Sequence, residues 1–321
     1  MWLVVALSSY FLSAGVHVAD KFLLSKKFHS SVVYAFYVGI WSVFNVVLLV
    51  LAPWMPSPKE FLIDVAVGIL FLITLIFWYK ALHQSEATRV IPIVGALTPI
   101  FSLLLSVIFL GETLNQRQLL AFVILISGGV LISVKQTKLY LINKVIMRVR
   151  YILGTIFGEP HARYRPVRRM IINSLISAAL FACFYVSMKY IYMTQPFIGG
   201  FVWSRLGTFI GTLLILLVPK WRFLIKKRHK ETSTPVNFAF FLSVRFLASV
   251  AFILFNLAIS LGNVSLVNAL QGTQYLFLIF LVILLSTKFP KILKEELGRG
   301  VLLQKFIGVM LVSLGLYVLV Q

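Results

Sequence analysis

The amino-acid sequence predicts an all-α membrane protein in which ten transmembrane helices form two inverted five-helix repeats. Three observations lead to this fold class. Hydrophobic residues make up 60% of the chain and lie in ten long stretches, each close to the ~20 residues that one helix needs to cross the hydrocarbon core. The last five stretches resemble the first five, and the basic residues are concentrated in alternate connections.

The predicted spans divide the chain into two repeats and a linker. Residues 1–134 form the first repeat, with spans 2–19, 31–52, 61–82, 88–110 and 117–134. Residues 171–321 form the second repeat, with spans 171–191, 197–218, 238–260, 264–286 and 301–320. Residues 135–170 are a basic linker, and the apolar residues around Lys144 and Arg148 predict a helix at 139–157 that lies on an anionic lipid surface.

Residues that recur in the same order support the duplication. Spans one and six share the pairs Ser9/Ser177, Ala14/Ala182 and Lys21/Lys189. Spans four and nine share Val90/Val267 and Gly95/Gly272. Spans five and ten share Gln118/Gln304, Ser127/Ser313 and Gly129/Gly315. Because each repeat has an odd number of spans, the two copies have opposite orientations, as in many transporters.

The formal charge of +21 comes from 30 Lys and Arg residues against nine acidic ones. These basic residues flank apolar spans, which favours anionic lipid over nucleic acid as their partner. Twenty-five of the 30 flank connections 1–2, 3–4, 5–6, 7–8 and 9–10, whereas the other face holds only Lys59, Arg117 and Lys189. The positive-inside rule makes the first set cytoplasmic and places both termini outside, in a multi-pass protein of the cytoplasmic (inner) membrane.

The composition argues against catalysis, metal binding and a resident cofactor. Cys183 is the only cysteine, so an internal disulfide or a multi-cysteine metal site is excluded. The nine acidic residues are scattered, whereas lipid-linked transferases need clustered acidic residues for Mg²⁺. A membrane-embedded enzyme is therefore disfavoured, and so is a channel, because no filter-like stretch or charged ring is visible.

Residues 78–132 carry a more specific pattern. Tyr79 and Ala81-Leu82 end span three, Pro99 lies midway along span four, and Leu110-Gly111-Glu112 leads to a fifth span with Gly128-Gly129. In this order and spacing the chain resembles the drug/metabolite transporter superfamily, in its EamA-type ten-span branch. The resemblance implies secondary transport, often export, of amino acids, nucleotide-linked sugars, other metabolites or drugs.

The chain departs from this family pattern at three points. The second repeat has Ser286-Thr287-Lys288 in place of the Gly-Glu link. Ser13, Ala14 and Gly15 stand where the small multidrug-resistance branch has a glutamate, which argues against expulsion of cationic drugs. The family resemblance implies cytoplasmic termini, whereas the charge distribution predicts the opposite.

Two arginines are the main candidates for substrate binding. Arg205 in span seven and Arg245 in span eight each lie roughly 10–12 Å from the face at which their span enters the membrane. A charge at this depth is costly and marks a functional site. An arginine pair suits a carboxylate or phosphate; the alternative is that Arg245 reaches back to the basic connection.

Polar side chains recur at helical spacing in spans eight and nine. In span eight the stripe contains Arg245, Ser249, Phe252, Asn256, Ser260 and Asn263, and in span nine it contains Asn268, Gln271 and Tyr275 with Gln274 alongside. These stripes predict either a substrate cavity or hydrogen bonds between helices. The predicted substrate-binding residues are Arg245, Asn256, Asn268, Gln271, Gln274, Tyr275, Arg205, Trp78, Tyr79, Thr98, Tyr185 and His17.

His17, Asp20 and Lys21 share one helix face. A titrating His17 held by Asp20 could couple protons to transport, while the alternative is a capped helix end whose charges satisfy one another. Glu112 is expected to cap a helix or pair with Arg117, and Lys80 and Lys189 to anchor span ends. The sequence as a whole predicts a secondary transporter that exports a small polar metabolite, an amino acid or organic anion, by alternating access through a central cavity. The alternative within transport is a flippase for a lipid-linked carrier.

Overall fold

The fold is helical throughout the part of the chain that the structure describes. A computed structural model describes residues 1–27, 31–84, 87–133, 167–229, 235–286 and 299–321. These ranges contain twelve α-helices and one 3-10 segment, and no strand is found within them. The predicted interfacial helix at 139–157 lies outside the described residues, as does Lys288 of the last connection.

The helices follow the apolar stretches closely. In chain order they are α1 (Trp2–Lys27), α2 (Ser31–Trp41) with the 3-10 segment (Ser42–Val50), α3 (Pro58–Gln84), α4 (Ala87–Leu110), α5 (Gln116–Ser133), α6 (Val167–Thr194), α7 (Phe197–Ile215), α8 (Pro219–His229), α9 (Pro235–Leu261), α10 (Val264–Ala269), α11 (Gln271–Ser286) and α12 (Arg299–Val320).

Within the described ranges, five helices are long and apolar enough to cross a membrane. They contain the segments Pro58–Ala81, Ile93–Leu110, Ile171–Thr194, Phe197–Ile215 and Leu242–Leu261. Shorter apolar helical segments occur at Trp2–Val16, Ala35–Val50, Gln116–Ile132 and Gln304–Val320. Large apolar side chains on the outer faces, such as Ile108 on α4 and Met310 on α12, are exposed. Such a surface suits lipid, and the chain is an integral membrane protein.

Two predicted spans are not single regular α-helices. Span two changes from α-helix to 3-10 helix at Ser42, whose hydroxyl donates to the carbonyl oxygens of Gly39 and Arg205. Span nine is interrupted at Leu270, whose carbonyl accepts from both the backbone N–H and the hydroxyl of Thr273. The bonds of Ser42 to Gly39 and of Thr273 to Leu270 are local and compete with the regular helical ladder, whereas the bond of Ser42 to Arg205 joins distant helices.

The connection at 219–237 also contains a helix, α8, which begins shortly after the end of α7. Asn263, which the sequence places on the polar face of span eight, lies beyond the end of α9. Its side chain instead caps α10 by accepting from the N–H groups of Ser265 and Leu266.

Glycines allow the closest helix crossings. At the crossing of α3 and α7, a Cβ atom on Gly68 would meet backbone atoms of Ser204, Gly207 and Thr208. At the crossing of α5 and α12, a Cβ atom on Gly128 would lie 2.9 Å from the backbone nitrogen of Val312. Small residues at such contacts are typical of helix packing in membranes, where close approach of backbones supplies the stability.

Candidate functional site

A cavity of about 300 Å³ lies among the helices. Side chains from α1, α2, α3, α4, α6, α7, α9, α10 and α11 line it, together with Ser42 and Asn45 of the 3-10 segment. Of the described residues of α5 and α12, none is in this lining, and these two helices pack against each other instead. The cavity therefore lies where most of the first-half and second-half helices meet.

The structure brings most of the predicted substrate-binding residues together around this cavity. Its lining contains both arginines and seven of the other predicted side chains: Arg205, Arg245, Asn268, Gln271, Gln274, Trp78, Tyr79, Thr98 and Tyr185. Ser249 and Phe252 from the polar face of span eight also line it. Residues from distant parts of the sequence thus converge on one volume.

Two predicted residues, Asn256 and Tyr275, are placed differently, and the side chain of a third, His17, is not described. Asn256 is fully buried and makes interhelical contact, because its side-chain oxygen accepts from the hydroxyl of Tyr192 at 3.0 Å. Tyr275 lies beside a second, much smaller cavity near Gly95 and Gly129. His17 lies in α1, as Asp20 does, but the side chains of both fall outside the described part of the structure. Asn256 and Tyr275 therefore fit the alternative of hydrogen bonding and packing between helices.

Arg205 is buried in an aromatic environment at the cavity wall. Its side chain is 5% exposed, and its guanidinium carbon lies 4.2 Å from the ring centre of Phe71 and 4.7 Å from that of Phe252. The rings of Phe184 and Phe201 are 5.6 and 5.9 Å away. The attraction between a cation and an aromatic face is about 0.5–1 kcal/mol at an exposed site and about 2 kcal/mol when the cation is desolvated. These rings hold the guanidinium in place while leaving its N–H groups available.

Hydrogen-bond donors without acceptors face this region. The Nε and Nη2 atoms of Arg205 are buried and make no hydrogen bond in the described structure. The same holds for the side-chain nitrogen of Gln274 and for the hydroxyl of Thr98, both of which line the cavity. Arg245 adds a second buried cation, 5% exposed. Among the described residues in the lining there is no aspartate or glutamate.

Other polar groups in the lining are satisfied by the protein. The side-chain amide of Asn268 donates to the hydroxyl of Ser102 at 3.1 Å, and the indole N–H of Trp41 donates to Ser249 at 3.0 Å. These bonds tie α10 to α4 and α2 to α9. They fix the positions of the helices that carry the unsatisfied donors.

A polar network closes one end of the bundle. Glu112, just after α4, lies 3.7 Å from the ammonium nitrogen of Lys189 on α6 and accepts from the backbone N–H of Val264. Lys189 donates to the carbonyl oxygens of Ile259, Ser260 and Gly262 at the end of α9. We call this network, Glu112 and Lys189 with the residues that they bind at 259–264, the end clamp.

The end clamp decides two expectations from the sequence. Glu112 binds the first backbone N–H of α10, as expected of a helix-capping group, but its ionic partner is Lys189 and not Arg117, whose guanidinium donates to the carbonyl of Gln321 at 3.4 Å. Lys189 binds the end of a neighbouring helix and is not a surface anchor. The cause is the carbonyl groups at the end of α9, which have no partner within their own helix and attract a cation.

Sequence reasoning also missed a buried acidic group. Asp64 is fully buried within α3 and accepts a hydrogen bond from Gln195 at 3.1 Å. The signal was present, because an acidic residue inside an apolar span marks a functional site by default. The aromatic side chains of Phe71 and Phe201 gave no such signal, since apolar spans contain many phenylalanines.

Helices of membrane-spanning length around a central cationic cavity define the class of the protein as a polytopic membrane protein with an internal cavity. Comparison with protein families then gives a match to the EamA-like transporter family over residues 1–134. Over these residues the match confirms the resemblance to the EamA-type branch of the drug/metabolite transporter superfamily that the sequence predicts. It supports a membrane transporter.

Seventeen chains of solved structures also match. One of them, a crystal structure of a protein, is 14% identical, with a TM-score of 0.65 over 98% of this chain and 94% of that chain. This likeness extends over both halves of the sequence and concerns the fold. No curated protein matches the chain.

Proposed function

We propose that the protein is a secondary transporter for a small organic anion or amino acid, which binds in the central cavity. The observation that carries this proposal is the set of buried donors without acceptors at the cavity wall, on Arg205, Gln274 and Thr98. A buried donor without a partner costs roughly 1–3 kcal/mol. A carboxylate or phosphate would supply acceptors to several of these groups at once and would neutralise a buried cation.

The volume of the cavity favours a small substrate. Binding sites for small molecules begin at roughly 300 Å³, and the cavity has about this volume. A lipid-linked carrier would require a larger head-group site and an opening towards the lipid for its tail. The cavity size therefore supports a water-soluble metabolite over the flippase alternative.

Alternating access follows from the proposed architecture of ten spans in two inverted repeats. The packing of the helices supports this arrangement, because equivalent pairs occur in both halves. In the proposed repeat, α1 is equivalent to α6 and α3 is equivalent to α9. The contact between α1 and α9 then has its counterpart in the contact between α6 and α3. With α4 equivalent to α11, the contact between α4 and α6 has its counterpart in the contact between α11 and α1. The equivalent helices α5 and α12 pair with each other.

The end clamp supplies the closed end of such a cycle. It joins the ends of α4, α6 and α9 to the start of α10, and Asn268 of the cavity wall lies only four residues beyond Val264. We infer that the clamp blocks access from this end in the state described and must break when the cavity opens there. Release on the outer side of the inner membrane would then correspond to export.

Counterflow in proteoliposomes tests the proposed function. Purified protein is reconstituted with unlabelled glutamate, alanine, malate, citrate or putrescine inside, and entry of the same labelled compound is followed. We expect saturable counterflow of at least one carboxylate and none of putrescine. Arg205→Gln should lower the kcat/KM for that carboxylate by at least about tenfold, as expected for the loss of a charge-assisted hydrogen bond of about 1.5–3 kcal/mol.

Arg222→Gln is the matched control, because this arginine is exposed on α8, away from the cavity. It removes the same charge and should leave counterflow unchanged. Counterflow of a cation in preference to every carboxylate would contradict the proposal. So would Arg205→Gln and Arg245→Gln variants that both transport the anion as well as the wild type does.

A further inference from the structure

Asp64 and Gln195 form a second buried polar pair, which shares no residue with the end clamp. Asp64 is the seventh residue of α3 and is 0% exposed, and Gln195 lies between α6 and α7. The side-chain nitrogen of Gln195 donates to Oδ1 of Asp64 at 3.1 Å. The remaining oxygen of each group, Oδ2 of Asp64 and Oε1 of Gln195, is buried without a hydrogen-bond partner. Neither residue is in the described lining of the cavity.

This pattern is the one expected for a protonated carboxyl group. An ionised Asp64 would leave a buried charge with a single hydrogen bond, and of the described residues none forms a salt bridge with it. An unpaired buried carboxylate is highly unfavourable and takes up a proton instead. A proton on Oδ2 can be donated to Oε1 of Gln195, so that the acid and the amide close a ring of two hydrogen bonds. One proton thus satisfies both of the oxygens that otherwise have no partner.

The ionisable groups around Asp64 leave this interpretation intact. On α3 itself, the nearest is Glu60, one turn earlier, whose negative charge disfavours ionisation of Asp64. On α6, Tyr192 is within electrostatic range of Asp64. The other ionisable side chains described on the helices that pack against α3 are Tyr37 on α2, Cys183, Tyr185, Lys189 and Tyr190 on α6, and Arg205 on α7, with none on α4. Lys189 is in the end clamp, and Arg205 is surrounded by phenylalanine rings.

Asp64 is also connected to the cationic wall of the cavity. At the crossing of α3 and α7, a Cβ atom on Gly207 would lie 2.9 Å from the carbonyl oxygen of Asp64, and Gly207 is two residues from Arg205. Tyr192 is within electrostatic range of both Asp64 and Arg205, and its hydroxyl donates to Asn256. A change in charge at Asp64 therefore acts on the helices that hold Arg205.

We propose that Asp64 is the binding site for a proton that is coupled to transport, with Gln195 as its hydrogen-bond partner. In the state described, the protonated carboxyl holds α3 against the junction of α6 and α7. Loss of the proton leaves a buried anion, which favours a conformation in which Asp64 reaches water. This proposal rests on the proposed transport function and identifies the coupling ion for it.

Infrared spectroscopy tests the protonation without any substrate. The wild-type protein at neutral pH should show the carbonyl stretching band of a protonated, hydrogen-bonded carboxyl group, and Asp64→Asn should lose it. Gln195→Leu should shift the band to higher frequency, because the acid loses its amide partner. Glu60→Gln is the matched control: it lies one turn away on the same helix, where the carboxylate accepts from the backbone N–H of Ser57. It should keep the band at the same frequency, with an intensity lowered at most in part, because the variant removes only a neighbouring charge that disfavours ionisation of Asp64.

Transport assays then test the coupling. In proteoliposomes, the carboxylate that shows counterflow is also offered with a pH gradient and no internal substrate. Asp64→Asn resembles the protonated acid and should fold, keep counterflow within about twofold of wild type, and lose at least nine-tenths of the gradient-driven accumulation. Glu60→Gln should keep both activities.

The possible results separate this proposal from the proposed function. Absence of counterflow in the wild type for every compound tested would contradict transport of these anions, whereas the infrared band would still report on Asp64. Wild-type counterflow together with full gradient-driven accumulation by Asp64→Asn would contradict the coupling role alone. If Asp64→Asn fails to fold, the wild-type band decides, since its absence at neutral pH would contradict a protonated Asp64.

Discussion

Arg205 shows how a guanidinium can lie inside a membrane protein without a carboxylate beside it. In the described structure its interactions are with phenylalanine rings and through its backbone carbonyl, which accepts from Ser42 at 2.9 Å. A counter-ion within the protein would compete with a bound anion for the same N–H groups. Aromatic faces stabilise the cation without occupying those groups, so the site keeps its capacity for a ligand.

In the ion pair of Glu112 and Lys189, burial and electrostatic attraction have opposite effects on the charge of the glutamate. Their side chains are 16% and 12% exposed, so both lose most of their contact with water. Burial raises the pKa of Glu112, and although the nearby ammonium group of Lys189 and the N–H of Val264 lower it, the effect of burial is the larger. The pair thus closes the bundle end while opposing full ionisation of the glutamate.

This balance predicts a pH dependence of stability. Because the pKa of Glu112 is raised in the folded protein, the folded state keeps a proton over a pH range in which the unfolded state releases it. The contribution of Glu112 to the free energy of unfolding is therefore greatest at acid pH, falls as the pH rises through the ordinary glutamate range to the raised pKa, and is constant above it. Glu112→Gln removes this contribution.

Thermal unfolding in detergent between about pH 4 and pH 8 provides the measurement. We expect the Tm of Glu112→Gln minus that of the wild type to become more positive as the pH rises. Comparison of the two proteins at each pH cancels the titration of other groups, Asp64 among them. A constant difference would show that attraction to Lys189 balances burial, and one that becomes more negative with rising pH would show that it outweighs burial; either would contradict a raised pKa of Glu112.

At the scale of elements, the crossing of α3 and α7 connects the proposed proton site to the substrate cavity. The hydroxyl of Thr208 on α7 donates to the carbonyl of Gly68 at 3.0 Å, and a side chain on either Gly68 or Gly207 would meet backbone atoms of the other helix. Backbone atoms cannot turn aside as a side chain can. The two helices therefore form one rigid unit that carries both Asp64 and Arg205.

Gly68→Ala should separate these helices. We expect it to lower the free energy of unfolding by about 1–3 kcal/mol, as overpacking of a close contact does, and to reduce transport, because Arg205 moves with α7. Gly15→Ala on α1 is the control, since a Cβ atom there has nothing within 4 Å. It should be neutral or stabilise by up to about 1 kcal/mol through its higher helix propensity. Equal unfolding midpoints for the two variants would contradict the close crossing.

The positions of the helices could be predicted from the sequence because apolar length is a strong signal in membrane proteins. The irregularities within these helices could not be predicted from the sequence. The change to 3-10 helix at Ser42 accompanies a bond to the distant carbonyl of Arg205, a partner that is settled only when the helices pack. The interruption at Leu270 accompanies a local bond from the hydroxyl of Thr273, which gave no signal because Ser and Thr form such bonds within regular helices too.

The residues of the candidate site could be predicted in part, as could the helices. Charged and amide side chains in apolar spans stand out, and Arg205, Arg245, Asn268, Gln271 and Gln274 all face the cavity. Helical spacing alone could not separate Asn256, whose amide instead bonds Tyr192. The partners of Glu112 and Lys189 were also beyond reach, because they lie 77 positions apart and no periodicity links them. The role of these residues in binding stays a prediction.

At the scale of the whole molecule, the orientation in the membrane decides what the end clamp closes. The clamp joins connections 4–5 and 8–9, on the face that holds only Lys59, Arg117 and Lys189 among the basic residues at span ends. The positive-inside rule predicts that this face is outside, and with that orientation we expect the described state to be closed to the exterior. The opposite orientation, which the family resemblance implies, would make the same state closed to the cytoplasm.

Labelling of single cysteines distinguishes these orientations. In a Cys183→Ala background, the exposed residues Met55, Thr113 and Arg222 are replaced by cysteine one at a time. We expect a membrane-impermeant maleimide to label Met55→Cys and Thr113→Cys in intact cells and Arg222→Cys only after permeabilisation, because 25 of the 30 basic residues flank the other face. The reverse pattern would place both termini in the cytoplasm. Whichever orientation holds, Met55 and Thr113 must be labelled from the same side, because the first repeat passes twice through the membrane between them; labelling from opposite sides would contradict the five-span repeat itself.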